Sequence, residues 1–307
     1  MNIVFLGTPE FAVLPFKKLL KSHHKIIAVV SKPDKPAGRG YRLISPPVVD
    51  VARDNNISVY QFRSIKKEGV NILKELKPDI MVTAAYGQIL SKEILDIAPK
   101  GVINIHASLL PKYRGSAPIQ WAIINGEKKT GVTIMQTAIG LDTGDILLKK
   151  EIDIEPYDNS ITLTDKMSGL GAHALIEALD LIEKGNAKFI AQDESQSSYY
   201  PMLNKDMGKI DWTKSAEQIN CLIRGLSDWP GTYSTLWGEK YKIIEAQVND
   251  KSYPVKPGTI FNVDNCITVM CGEKSLDITV IQAQGKKAMK TADYLRGHKR
   301  YIGERFE

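Results

Sequence analysis

Residues 102–121 read Val102-Ile-Asn-Ile-His-Ala-Ser-Leu-Leu-Pro111 and then Lys112-Tyr-Arg-Gly-Ser-Ala-Pro-Ile-Gln-Trp121. From Gly101 to Ile105 the run is apolar apart from Asn104, which predicts a strand. The residues beyond His106 form a loop too polar for a core. Asn104 and His106 stand two apart, so on a strand they share a face. An amide donor and a titratable imidazole then sit side by side at a strand's C-terminal end, where open α/β sheets bind their ligands. A second polar loop comes later in the chain, Leu141-Asp-Thr-Gly-Asp145. Its carboxylates, Asp142 and Asp145, are candidates to complete a three-residue site, although either alone reads equally as a turn residue beside Gly144.

Outward from this stretch, the first half alternates between strand and helix patterns. Strand-like runs fall at 2–6, 25–31, 79–84, 101–105 and 131–137, with helical patterns between them at Ile65–Leu76 and Pro118–Asn125. Such alternation predicts an α/β fold, a Rossmann-like, mostly parallel sheet with helices on both faces. Pro15 falls inside the apparent helix Phe11–Leu20 and should kink it or delay its start. A longer amphipathic helix is expected over 161–184, with Leu163, Met167, Leu170, Ala174 and Leu181 toward the core. The pattern then fades, and Asp193-Glu-Ser-Gln-Ser-Ser-Tyr-Tyr-Pro201 reads as a linker. Beyond it come a helix at 216–226 and short β runs at 232–237, 240–247, 258–263, 266–271 and 275–282. Short strands at that spacing indicate a small barrel or sandwich, and we expect a partly open, OB-like β-barrel. The expected division is a catalytic domain over 1–188, a linker over 189–205 and a C-terminal domain over 206–307.

Composition sets limits on function. With 307 residues, 43% hydrophobic and 25% charged, the chain suits a soluble protein of about two domains. Nothing approaches the roughly 18 consecutive apolar residues of a membrane span. The start, Met1-Asn-Ile-Val-Phe-Leu-Gly7, reads as a strand rather than a leader, so a cytoplasmic, bacterial-type location is expected. Cys221, Cys266 and Cys271 lack zinc or disulfide spacing. Gly7-Thr-Pro-Glu10 lacks the G-x-G-x-x-G pattern, and Pro9 removes a phosphate-binding N–H, which argues against a dinucleotide. No metal is expected to take part.

The net charge is +6 and unevenly spread. Residues 32–42 hold Lys32, Lys35, Arg39 and Arg42 against Asp34, a local +3. Residues 286–305 hold Lys286, Lys287, Lys290, Arg296, Lys299, Arg300 and Arg305 against Asp293 and Glu304, a local +5. The remainder therefore carries −2. Two basic clusters on a slightly acidic body suggest a polyanionic partner.

The two polar stretches together resemble the folate-dependent formyltransferases. Asn104, His106 and Asp142 match that family's catalytic Asn, His and Asp, and Ser108-Leu109-Leu110-Pro111 matches its folate-binding stretch. The resemblance runs from the first strand to the last basic segment. It implies 10-formyltetrahydrofolate as co-substrate, with no metal and no covalent intermediate, and Ala85-Tyr-Gly-Gln-Ile-Leu90 lining the pterin pocket. Members differ in acceptor: glycinamide ribonucleotide, a sugar-nucleotide amine, or the methionyl ester of initiator tRNA. The second domain argues against the first. Lys32-Pro-Asp-Lys-Pro-Ala-Gly-Arg-Gly40 is similar to the basic insertion of the tRNA-acting members, and Gly285-Lys-Lys-Ala-Met289 to their C-terminal motif, with Ala283 where that motif usually has Pro. The resemblance therefore implies tRNA contacts from Arg39, Arg42, Lys286 and Lys287, and a monomer needing no protein partner.

Formyl transfer needs a donor at the developing oxyanion, a proton for the departing nitrogen and exclusion of water. Asn104 can supply the donor. His106 can donate to the same oxygen or relay a proton, and Asp142 can hold the imidazolium by charge. His23, His24 and His173 read as structural. Rival classes are a sugar-nucleotide formyltransferase, a formyl-folate hydrolase and a non-enzymatic RNA-binding protein. The hydrolase needs neither basic segment, and the RNA binder does not need Asn104, His106 and Asp142 together.

Overall fold

The structure is a computed structural model that describes residues 1–37, 42–298, 300 and 302–307. The chain forms two compact units, one of residues 1–118, 129–153 and 164–200, the other of 119–128, 154–163 and 201–307.

The first unit is built on a seven-stranded sheet. Its strands are β1 (Asn2–Gly7), β2 (Lys25–Ser31), β3 (Val59–Gln61), β4 (Ile80–Ala84), β5 (Val102–His106), β6 (Lys129–Gln136) and β7 (Ile146–Asp153). In space the order is β7-β6-β5-β4-β1-β2-β3. The pairings from β3 to β5 are parallel, and β6 and β7 add an antiparallel edge. The mostly parallel sheet read from the sequence is present. Buried on both faces, β4 is apolar except for Thr83, whereas the edge strand β7 alternates between inward and exposed positions. One face, with Val4, Leu6, Ala28, Val30, Met81 and Val102, is covered by the helices Ile65–Glu68, Val70–Leu76 and Lys92–Leu95 through Ile65, Leu73 and Ile94. On the other, Phe5 stacks on Phe16 of the helix Val13–Leu20 at 5.2 Å between ring centroids.

The delayed start expected of the first helix is present, and two other details differ from expectation. The first helix starts at Val13 behind a 3₁₀ turn, Glu10–Ala12, so Pro15 lies in its first turn, where a missing N–H costs nothing. The helix expected over 65–76 is divided at Gly69. The long helix, Ser160–Glu183, buries Leu163, Met167, Ala174, Leu175, Ala178, Leu179 and Ile182, while Leu170 and Leu181 are only half-buried. No helix among the described residues is long and apolar enough to cross a membrane.

The second unit carries a curled antiparallel sheet in the order 232–236, 239–249, 275–283, 267–270, 260–262, with 289–290 pairing beside 275–283. The chain end joins its two edges. Thr235 and Glu307 exchange backbone hydrogen bonds at one edge, while Ile260 donates to Glu304 and Phe306 to Gly258 at the other. This is the barrel-like closure expected of the C-terminal segment. The helix Ala216–Gly225 packs Ile219 and Ile223 into the same core and starts with a capping box of Ser215 and Gln218.

Candidate active site

Strand β5 delivers Asn104 and His106 together. Asn104 pairs with Thr83 of β4 and Met135 of β6, and His106 pairs with Thr133. The Thr83 hydroxyl donates to Asn104 Oδ1 at 2.8 Å, which fixes the amide's orientation. With its oxygen engaged, Asn104 presents Nδ2 as the donor, and its side chain is only half-buried.

His106 is buried at 5% exposure. Its Nε2 lies 3.0 Å from the Tyr113 carbonyl oxygen, which can only accept, so Nε2 carries a hydrogen and donates. That leaves Nδ1 to exchange a proton. Opposite Nδ1, at 3.6 Å, lies Asp142 Oδ1. The structure therefore brings together the three residues singled out in the sequence, while Asp145 is exposed just before β7.

The Asp142 loop is held tightly. Asp142 adopts a positive φ of 54°. Its Oδ2 accepts from the Gly115 N–H at 2.9 Å, and its carbonyl accepts from Gln192 Nε2 at 2.8 Å. The same Nε2 donates to the Gly144 carbonyl at 2.7 Å. Gly144 has no room for a side chain, since a Cβ would stand 1.7 Å from the Gln136 carbonyl oxygen. Gln192 is itself oriented by Arg114, which donates to its Oε1 at 2.8 Å and to Glu194 Oε1 at 2.7 Å. The Glu194 hydrogen bond is also the main reason the Arg114 guanidinium is held even more firmly protonated than usual.

The segment read as a linker thus does more than connect. Residues 199–200 pair with 114–115, Tyr200 stacks on Tyr113 at 4.8 Å, and the Tyr113 N–H donates to Ser198 Oγ. Thr83, Arg114, Gln192 and Glu194 escaped sequence reasoning, because their partners lie 21 to 80 residues away and no periodic pattern marks them.

Ser108, Leu110 and Pro111 are buried, and Leu109 is half-buried. Thr133 pins this loop, donating to the Ser108 carbonyl at 2.6 Å and accepting from the Leu110 N–H at 3.1 Å. Ser108 Oγ is spent on the Lys112 carbonyl. At the crevice between β1 and β4, where the strand order reverses, Thr8 donates to the Tyr86 carbonyl. The Tyr86 hydroxyl is buried without a hydrogen-bond partner. A separate depression lined by Lys74, Lys77, Asp79, Glu93 and Asp96 lies at the opposite, N-terminal end of β4 and contains none of these groups.

Of the basic residues singled out, Arg39 lies outside the described residues. Arg42 begins the short strand Arg42–Ile44, which pairs with Lys35–Ala37. Lys286 and Lys287 are exposed in the turn before Met289, in the second unit. Arg300, by contrast, donates to the hydroxyls of Tyr241 and Tyr294, which gives it a structural anchor.

A family model described as formyl transferase matches residues 1–179, and one described as formyl transferase, C-terminal domain, matches 202–299. The chain is 45% identical to the methionyl-tRNA formyltransferase of Acetivibrio thermocellus, covering 99% of this chain and 98% of that one. Its identity to the methionyl-tRNA formyltransferase of Clostridium acetobutylicum is 48%, covering 97% of each. In fold it is similar to an N-formyltransferase from Helicobacter canadensis solved with folinic acid and dTDP-3-aminofucose. That likeness has a TM-score of 0.69 and 21% identity, over 92% of this chain and 98% of that one.

Proposed function

This chain belongs to the formyl transferase family, and from that premise we propose that it moves the formyl group of 10-formyltetrahydrofolate to the α-amino group of methionyl initiator tRNA. The convergence of Asn104, His106 and Asp142 at the C-terminal end of β5 carries the chemistry. The choice of acceptor is supported by relatives of that name that parallel the chain along nearly its whole length.

The residues present fit a folate. Ala85–Leu90 leaves β4 at the switch crevice, where its backbone N–H and C=O groups can meet the donor and acceptor edge of a pterin. When bound, the folate supplies an activated formyl group on nitrogen. Asn104 donates Nδ2–H to the formyl oxygen as it gains charge. His106 keeps Nε2–H on the Tyr113 carbonyl and uses Nδ1 to deliver a proton toward the departing nitrogen. Asp142 Oδ1 faces that atom, balances the imidazolium and, through water, takes the proton of the attacking amine. The buried Leu110 and Tyr113 help to keep bulk water from the formyl group.

In this reading residues 1–188 hold the chemistry, 206–307 the RNA-facing barrel, and 189–205 the join between them. Arg39, Arg42, Lys286 and Lys287 contact tRNA phosphates. The enzyme works as a monomer in the cytoplasm of a bacterial-type cell. A sugar-nucleotide amine is the rival acceptor, favoured by the fold likeness to the Helicobacter canadensis enzyme.

The test is single-turnover formylation of methionyl initiator tRNA by the Asn104→Ala and His106→Ala variants, with thermal unfolding in parallel. Removal of one such donor should slow transfer roughly a hundred- to thousand-fold with the fold intact. Turnover near wild type in either variant would overturn the assignment.

A further inference from the structure

Far in sequence from Asn104, four side chains gather for which the transfer reaction has no use. His23 and His24 occupy the turn between the first helix and β2. Asp180 and Glu183 stand three residues apart near the end of the long helix Ser160–Glu183, and so share a face. One ligating atom from each of the four lies within 4.8 Å of the others.

Two of these atoms are in an unusual state. The His24 side chain is fully buried, and its Nε2 has no hydrogen-bond partner. Asp180 Oδ1 is likewise buried and unpartnered. They face each other at 3.5 Å without forming a hydrogen bond. Buried polar atoms in native proteins are nearly always satisfied, so a facing pair of orphans calls for an explanation. Two ligands of one tetrahedral ion at about 2.1 Å are separated by about 3.4 Å, which is the spacing seen here.

The other two complete the set. His23 Nε2 and Glu183 Oε2 are hydrogen-bonded at 2.7 Å, a bond that an ion between them would replace, and His23 Nε2 lies 3.9 Å from Asp180 Oδ1. The exposed His23 gives an ion a way in from solvent. The Met1 ammonium donates to the other Glu183 oxygen at 3.0 Å and lies 3.5 Å from His24 Nδ1, which leaves His24 Nε2 as the free ring nitrogen. Two imidazoles with two carboxylates form a nitrogen and oxygen donor set suited to zinc and its neighbours rather than to calcium or magnesium.

We propose that His23, His24, Asp180 and Glu183 bind one divalent transition-metal ion of the zinc class, which clamps the end of the long helix to the start of β2. The role is structural: the ligands belong to the helix–strand turn and the helix end, and none belongs to the β5 site.

The test uses the full chain, stripped with a chelator and titrated with zinc chloride by calorimetry, then with cobalt(II) for its visible absorption. One zinc per chain should bind with Kd below roughly 1 µM, and cobalt should show the intense bands of a tetrahedral ion. Zinc at a hundredfold excess over Kd should raise Tm by roughly 4 °C. His23→Ala and Glu183→Gln change exposed side chains, so both variants should fold, and each should weaken binding at least about a hundredfold. Loss of a ligand exceeds the roughly 10- to 100-fold cost of losing a supporting hydrogen bond. No binding by roughly 100 µM zinc would overturn the proposal. So would binding that survives both substitutions, or binding abolished by His106→Ala instead.

Discussion

The position of Asp142 depends on Gln192, fifty residues away. One amide nitrogen serves the carbonyls of both Asp142 and Gly144, and Arg114 holds the other end of that amide. Gln192→Ala removes four hydrogen bonds, two donated to carbonyls and two accepted from Arg114, at about 1 kcal/mol for each bond. The carboxylate then loses its fixed place opposite His106. We expect kcat to fall roughly 10- to 100-fold while folate affinity changes little. Steady-state kinetics with separate folate titration checks this, and a change confined to folate affinity would argue that Gln192 touches the folate instead. Asn104, His106 and Asp142 could be read from sequence because a strand's two-residue period and a flanking polar loop mark them. Gln192 and Arg114 could not, because a lone glutamine in a polar stretch gives no pattern and its partners are set only by the folded chain.

Among the elements, the loop 108–111 owes its shape to one hydroxyl on the next strand. Thr133 is fully buried and serves two backbone groups. Thr133→Val keeps the volume and strands a carbonyl and an N–H, so stability should drop by about 1–3 kcal/mol, measurable by urea denaturation. Loss of folate affinity should accompany it, because the loop shape rather than its side chains forms that wall. In the barrel, burial pushes the Cys271 thiol up from an ordinary value near 9 to about 12. Its folded value exceeds its unfolded one, so this contribution is whole below about pH 9 and fades between 9 and 12, at up to about 1.4 kcal/mol per pH unit. Cys271→Ala should therefore lose less stability than the parent between pH 7 and 10.5. The alternation of β and α runs was legible in the sequence because each pattern is local. The pairing of 199–200 with 114–115 was not legible, because it involves only two residues, too few to leave a pattern.

For the molecule as a whole, the unequal spread of charge is the main pointer to an acceptor that is a polyanion. Arg296 is paired with Asp293 and Arg300 is anchored by tyrosines, so exposed Lys286 and Lys287 are the barrel bases best placed for phosphate. Replacing either by Ala should flatten the plot of log affinity for tRNA against log salt by roughly 0.7 to 0.9 and leave folate binding unchanged. An unchanged slope in both variants would move the RNA contact elsewhere. The central claim, formyl transfer to methionyl initiator tRNA, is tested most directly by one competition. The enzyme is given labelled 10-formyltetrahydrofolate with equal concentrations of charged initiator tRNA and a dTDP-linked amino sugar, and the label is followed. We predict that it accumulates on the methionyl amine of the tRNA. Label on the amino sugar, or released as formate with the tRNA unmodified, would contradict the claim.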